Sequence, residues 1–434
     1  MYFYIDPGTG SMLFTILIGL FGAMFYSIKL FFIKIKSRIG GKKIETSNKK
    51  IPFVIYSDDK RYWNIFEPIC KELDKLNKEV LYLTASDNDP AFNSGLKSLR
   101  FECIGKGNSS FFRLNYLSAN IVLSTTPGLG VYQWKRSKNV DYYVHIPHSA
   151  GNITMYRMFG IDYYDAILLS AQRQVDDVRL LEQTRNLPAK EIVKVGIPYM
   201  DEMIKRLENS PKLDNHTRTV LVAPSWGKSA IFSVYGGKII KKLLQTGYHI
   251  IIRPHPQSFE SEKELMDKLM SEFPASENLE WNRDTDNFEV LRRSDIMISD
   301  FSGVIYDFAL IFGKPIIYTE PKIDISPYDI WWLKKELWTI SALPKIGCEL
   351  TNENIDDIKD IIDSCLTEQK YADGLKIIKE ESWECFGEGT KNVVNYLTNK
   401  YDEIIKKNQQ DSLDIINKQK NIKNNKQKVL KEEK

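Results

Sequence analysis

Short apolar runs, separated by segments with helical spacing, recur along the chain. Between residues 50 and 205 the runs are Phe53 to Tyr56, Val80 to Thr84, Ile121 to Ser124, Tyr142 to His145, Ala166 to Ser170 and Val193 to Ile197. Each is short enough for a strand, and the stretches between them, such as Tyr62 to Leu76 and Gln172 to Glu182, can hold helices. Alternation of this kind predicts a mostly parallel sheet with crossover helices. Ser210 to Asn215 is polar and turn-rich and reads as a linker. A second unit of the same design follows. Its strands are expected at Val220 to Ala223, His249 to Arg253, Asp295 to Ile298 and Pro315 to Tyr318. Its helices are expected at Gly237 to Thr246, Glu260 to Glu272, around Phe288 to Arg293 and at Gly303 to Phe312, with further helix over 355–400 around Trp383 and Phe386. The expected fold is α/β, with two open Rossmann-like domains and the ligand between them.

The first residues follow a different pattern. From Pro7 to Ile28 no residue is charged, and Met12 to Tyr26 is almost wholly apolar. A run of about 20 residues is long enough for a hydrocarbon core roughly 30 Å thick. Lys29, Lys34, Lys36, Arg38, Lys42 and Lys43 lie within or after the run, against Asp6 alone before it. That bias predicts a single-pass anchor with the rest of the chain facing the cytoplasm. A helix lying in the interface is the alternative, and a cleaved signal peptide fits poorly because no basic n-region precedes the run. Residues 1–45 are therefore expected to form an anchor with a basic flank, 46–212 a first domain, 213–402 a second domain, and 403–434 a Lys/Asn-rich disordered tail.

The formal charge of +3 is small, and the basic residues that produce it cluster near the two termini. With no basic stripe on the body, nucleic-acid binding has no support. The five cysteines are odd in number and form no Cys-x-x-Cys pair, so ordinary thiols in a reducing compartment are expected.

Two short motifs carry most of the candidate chemistry. Ser299-Asp300-Phe301-Ser302-Gly303 follows a strand and runs straight into an apolar helix. Free amides at such a helix start form an anion site, and Gly303 lets a phosphate approach the backbone. Ordinary capping is the bland alternative. Asp300 suits a hydroxyl or an amide better than a phosphate. Asp307 would accept from a ribose or sugar-like hydroxyl if it faces the cleft, and would otherwise make a core hydrogen bond. In Arg253-Pro254-His255-Pro256, Arg253 can clamp phosphoryl oxygens and His255 can move a proton near neutrality. His145 and His148 follow a strand in the first domain, and a three-histidine metal site with His255 has little support. Ser225 and Trp226 lie in a strand-end loop that can line a nucleotide pocket. Gly227-Lys228-Ser229 lacks the upstream glycine of a phosphate-binding loop, because position 222 is Val.

Taken in order, these segments resemble the CDP-glycerol glycerophosphotransferase family of teichoic-acid and capsule polymer synthesis. The resemblance covers roughly residues 120–320. Its most specific part is Ser299 to Ala309, followed by Gly313-Lys314-Pro315-Ile316-Ile317. Arg253 to Pro256 is similar to the family's second histidine motif, and Ala223 to Trp226 to the strand-end loop before it. The first motif usually reads Trp-His-Gly-Thr. Here the matching place is Pro147-His148-Ser149-Ala150, so His148 takes the base position while the glycine is absent. The segment Tyr4 to Ser11 and the apolar run after it resemble the leader of a membrane-bound subgroup.

The resemblance implies a fold of the GT-B type. It also implies transfer of glycerol phosphate or a related alditol phosphate from a CDP-activated donor to a hydroxyl of a membrane-linked glycan, with release of CMP. His148 would then be the base, and His255 would stabilise phosphates or protonate the leaving group. Arg253, Ser225, Trp226, Ser299, Asp300, Ser302, Gly303 and Asp307 would line the donor site. No metal and no separate cofactor are expected, and envelope-polymer assembly proteins are candidate partners. A GT-B glycosyltransferase using a nucleotide sugar and a non-catalytic membrane scaffold remain the alternatives.

Overall fold

Two parallel sheets organise the chain. The first comprises β1 (Ile51–Ser57), β2 (Val80–Thr84), β3 (Leu99–Cys103), β4 (Ser118–Ser124), β5 (Asn139–His145), β6 (Ala166–Leu169) and β7 (Glu191–Lys194), in the order β3-β2-β1-β4-β5-β6-β7. The second comprises β8 (Thr219–Val222), β9 (His249–Ile252), β10 (Leu279–Trp281), β11 (Ile296–Ser299), β12 (Ile316–Thr319) and β13 (Gly347–Leu350), in the order β10-β9-β8-β11-β12-β13. The computed structural model describes residues 50–213, 217–284, 286–300, 302–320 and 323–432 together with Met24, with side chains as far as Asp414. Apart from Met24, the expected anchor over residues 1–45 lies outside the described residues. Among those described, no helix is long and apolar enough to cross a membrane.

The inner strands β6, β8, β11 and β12 are buried on both faces, as parallel sheets covered by crossover helices require, while the edge strands β3 and β7 are partly exposed. Along β1, Phe53 and Ile55 join a core with Phe66, Ile69 and Leu73 of the helix Trp63–Lys75, while Val54 and Tyr56 pack on the opposite side with Leu114 and Leu117. The second sheet repeats the scheme. Leu221, Ile251 and Met297 face the helix Val304–Phe312, and Val220, Ile250 and Ile298 face the helix Gly237–Leu244. Strand order reverses between β1 and β4 in one sheet and between β8 and β11 in the other. Each reversal opens a crevice at the strands' carboxyl ends, where ligands bind in folds of this kind.

The chain passes between the domains twice. It leaves the first after the helix Pro198–Glu208 and returns near Trp383–Glu388. The returning helix, Gly389–Glu432, packs on the first sheet: Val393, Val394 and Leu397 enter the core beside Phe53, and the Phe53 and Tyr401 rings lie 5.2 Å apart. The two crossings meet at Asp201, whose carboxylate accepts the amides of Gly387 and Gly389 at 2.7 Å each. A side chain at 389 has no room there, because a Cβ would lie 2.7 Å from Asp201 Oδ2 and 2.8 Å from Pro198 N.

Two expectations change here. Residues 389–402 pack with the first domain rather than the second, and the tail from 403, expected to be disordered, has a helical backbone to Glu432. The apolar stripe of Val393, Leu397, Tyr401 and Ile404 anchors the helix on the sheet. Lys, Gln and Glu, which have good helix propensity, extend it beyond the packed turns.

A third connection is non-covalent. The segment around Tyr328 to Thr339 lies on the first domain, where Asp329, with no exposed side-chain surface, accepts from Phe159 N at 2.8 Å and Gly160 N at 3.2 Å. Arg185, 5% exposed, bridges Asp329 at 2.6 Å and Asp162 at 2.5 Å.

Candidate active site

The second-sheet crevice is built around Asp300. Its two carboxylate oxygens accept from Ser225 N at 3.0 Å each, and one also accepts from Ile231 N at 3.2 Å. Ser299 is fully buried and donates its hydroxyl to Ala223 O at 2.6 Å, joining β11 to the end of β8. Both residues therefore shape the loop that carries Ser225 and Trp226, and the Ser299 hydroxyl is engaged by Ala223 O. After Asp300 the helix Val304–Phe312 starts at Gly303 with no side-chain cap. Its first-turn amides carry the positive end of the helix dipole. Asp300, Ser302 and Gly303 line a cavity of about 170 Å³ whose opposite wall includes Ser149, Gly151, Asn152 and Met155 of the first domain. Thr339 N donates to Asn152 Oδ1 at 2.9 Å across this wall.

The first domain supplies His148 in the loop that leaves β5. Pro147 cannot extend the strand, and the ring of His148 settles against Tyr62 and Tyr156, with centroids 5.1 and 6.0 Å apart. His145, fully buried within the strand end, has Nε2 3.1 Å from the Tyr156 hydroxyl. His148 lines a second cavity, of about 130 Å³, together with Ser149, Gly151, Asn152, Met155 and Tyr156. The two cavities adjoin and share a wall made of Ser149, Gly151, Asn152 and Met155.

Burial pushes the His148 imidazole down to about 4, with the Arg61 charge adding to the effect, so the ring is neutral near pH 7. Burial also lowers His255, Arg61 adds to that, and Asp300 opposes it. The His255 ring lies 6.4 Å from Trp226, and its Nδ1 accepts from Gln257 N at 3.1 Å. Trp226 is 47% exposed at the mouth of the loop.

Two expected donor residues are engaged elsewhere. The Arg253 guanidinium bonds Asn282 Oδ1 and the Asp284 carbonyl, the latter at 2.7 Å, so it ties the end of β9 to the loop after β10. Asp307 accepts from the Tyr199 hydroxyl at 2.6 Å and joins the helix Val304–Phe312 to Pro198–Glu208. Burial raises its carboxyl to about 6. His249 bonds the Glu277 carbonyl at 3.2 Å, away from the cleft, and His216 lies outside the described residues.

Sequence reasoning missed Arg61, Tyr62, Tyr156 and Asn152. The signal for the first two was their place just after β1, beside the point where strand order reverses.

Residues 154–330 match the family model described as CDP-Glycerol:Poly(glycerophosphate) glycerophosphotransferase. A teichoic acid glycerol-phosphate primase of Bacillus spizizenii is 22% identical over 249 residues, 55% of this chain and 59% of the relative. The chain thus spans about three-fifths of that curated relative's length. In three dimensions it is similar to the wall teichoic acid polymerase TagF, with a TM-score of 0.56 and 14% identity over 89% of this chain and 99% of that one. Staphylococcus aureus MnaA follows with a TM-score of 0.55 and 11% identity, covering 82% of this chain and 97% of that one. The UDP-GlcNAc 2-epimerase of Methanocaldococcus jannaschii has a TM-score of 0.53 and 12% identity, covering 80% and 99%. These likenesses establish the fold, two GT-B-like tandem Rossmann domains. The matched residues 154–330 run from the wall of the His148 cavity to the Asp329 contact, so the similarity to the CDP-glycerol glycerophosphotransferase model spans parts of both domains.

Proposed function

We propose that the protein moves glycerol phosphate, or a related alditol phosphate, from a CDP-activated donor to a hydroxyl of a membrane-linked glycan or polymer, releasing CMP. The observation that carries this reading is the wall of Ser149, Gly151, Asn152 and Met155 that the His148 cavity shares with the cavity at Ser302 and Gly303. The donor's phosphates lie at the amides around Ser302 and Gly303, with Ser225, Trp226 and His255 on the nucleotide side. An acceptor hydroxyl enters beside His148. Its oxygen attacks the phosphorus that bears the alditol, its proton passes to the neutral imidazole of His148, and the bond to the CMP oxygen breaks. Positioning and charge neutralisation supply the acceleration, with no covalent intermediate. His255 stabilises the phosphates or donates a proton to departing CMP.

The N-terminal apolar run serves as the membrane anchor, with the catalytic domains on the cytoplasmic face. It keeps the cleft near an acceptor whose lipid tail stays in the bilayer. The test is incubation of the detergent-solubilised protein with CDP-glycerol and extracted membrane lipids, following CMP and labelled lipid. Acceptor-dependent CMP release supports the reading. Binding of CDP-glycerol with no turnover would reject the alditol or acceptor assignment, and absence of nucleotide binding by folded protein would reject the enzyme.

A further inference from the structure

A diphosphate in this cleft needs a cation, and the strand-end arginine expected to supply it, Arg253, is occupied by Asn282 and Asp284. We propose that Arg61, from the opposite domain, grips the diphosphate of the CDP-linked donor, an inference that rests on the function proposed above. Arg61 lies in the loop between β1 and the helix Trp63–Lys75, at the crevice where the first sheet reverses strand order. Its backbone N–H and its Nε both bond Asp59 Oδ1, each at 3.0 Å. The side chain is thereby held through one nitrogen. Among the described residues Nη1 and Nη2 make no hydrogen bond, and the side chain is 62% exposed. The guanidinium is 5.8 Å from the centre of the Tyr62 ring, which in turn packs 5.1 Å from His148.

The charge acts on both domains. It disfavours the protonated form of His148 on its own side and of His255 on the other, in keeping with its place beside Tyr62, the ring that packs on His148. A planar guanidinium with both terminal nitrogens open is suited to bidentate contact with phosphoryl oxygens. The fixed Asp59 contact reduces the freedom lost when the ligand binds. Because the cation and the amides of Ser302 and Gly303 belong to different domains, donor capture by Arg61 requires the two domains to close on one ligand.

Calorimetric titration of the full-length protein with CDP-glycerol and with cytidine separates the possibilities. Arg61→Gln is expected to weaken CDP-glycerol binding roughly 10- to 100-fold, the range for a lost charge-assisted contact, and to leave cytidine affinity unchanged. Arg61→Lys should restore part of the loss, as a charge without the fork. Wild-type affinity for CDP-glycerol in Arg61→Gln would overturn the proposal, as would an equal loss for both ligands, which marks a structural residue. If the wild-type protein binds neither ligand, the reading of the site as a CDP-donor cleft fails first, and the role of Arg61 falls with it.

Discussion

Asp300 receives the backbone amide of Ser225 on both carboxylate oxygens, at 3.0 Å each, so the end of β11 dictates the path of the loop that leaves β8. Ile231 N adds a further bond at 3.2 Å. Asp300→Ala should therefore destabilise the protein by roughly 1–3 kcal/mol for each amide left unpaired. It should also weaken CDP-glycerol binding, because Ser225 and Trp226 lose their support. Asp300→Asn keeps one acceptor oxygen and should be milder on both counts. Urea unfolding and nucleotide titration of the two variants check this. Equal stability of Asp300→Ala and wild type would refute it.

The low affinity of His148 for a proton sets the acid side of the pH profile. The base acts when neutral, and burial holds its transition near 4, so it stays competent well below neutrality. Between pH 7 and 5.5, kcat/KM should be nearly flat, whereas an imidazole with an ordinary value of about 6.5 would lose about eightfold over that span. His148→Ala should lower kcat by at least 100-fold with little change in CDP-glycerol affinity. An eightfold acid fall in the wild type would exclude His148 as the group that controls this limb.

Asp307 makes the opposite prediction for stability. Its folded carboxyl titrates near 6, above the ordinary carboxylate range, so folding favours the protonated form. That contribution is complete below about 4 and is lost as pH rises through 6. Asp307→Asn retains an acceptor for the Tyr199 hydroxyl and never ionises. The variant should show a higher urea midpoint than wild type at pH 7.5, with the advantage gone at pH 4. Its CDP-glycerol affinity should match wild type, because Asp307 faces Tyr199 rather than the donor.

Arg185 should be the least replaceable contact between the domains. Removing it leaves Asp162 and Asp329 buried without their cation, a cost of about 3–5 kcal/mol. Arg185→Ala should unfold at markedly lower urea concentration than Asp329→Asn, which keeps an oxygen for Phe159 N or Gly160 N. Comparable midpoints for the two variants would show that the clamp adds little.

Strands were the most legible part of the chain. Runs such as Ile250 to Ile252 and Ile296 to Ile298 are apolar on both faces, a pattern that needs no tertiary context to read. The positions of His148 after a strand and of Gly303 at a helix start were also legible, because strand ends and helix starts carry local signals. The bond from Arg253 to Asn282 was not legible, because Asn282 sits on the neighbouring strand's exit, 29 residues later, and no local signal announces that pairing. Arg61 was overlooked for a related reason. Its placement follows from strand order, and the reversal between β1 and β4 cannot be seen in a list of strands. The tail misled in another way. Polarity alone suggested a solvated coil, while Tyr401 and Ile404 extended an apolar stripe that begins at Val393.

The meeting of Asp201 with Gly387 and Gly389 has a mechanical consequence. Two domains joined by one strand of chain can swivel, slide and separate in many directions. Here the helix that leads out of the first domain is fastened at its first turn to the segment that returns, so the two connections are held to each other and pivoting is the motion this leaves easiest. A small rotation at that pivot becomes a widening of the jaws at the far end of the lever, where Ser302 and Gly303 share a cavity with Ser149 and Asn152. Donor entry and product exit would then share a single coordinate, the angle at Asp201.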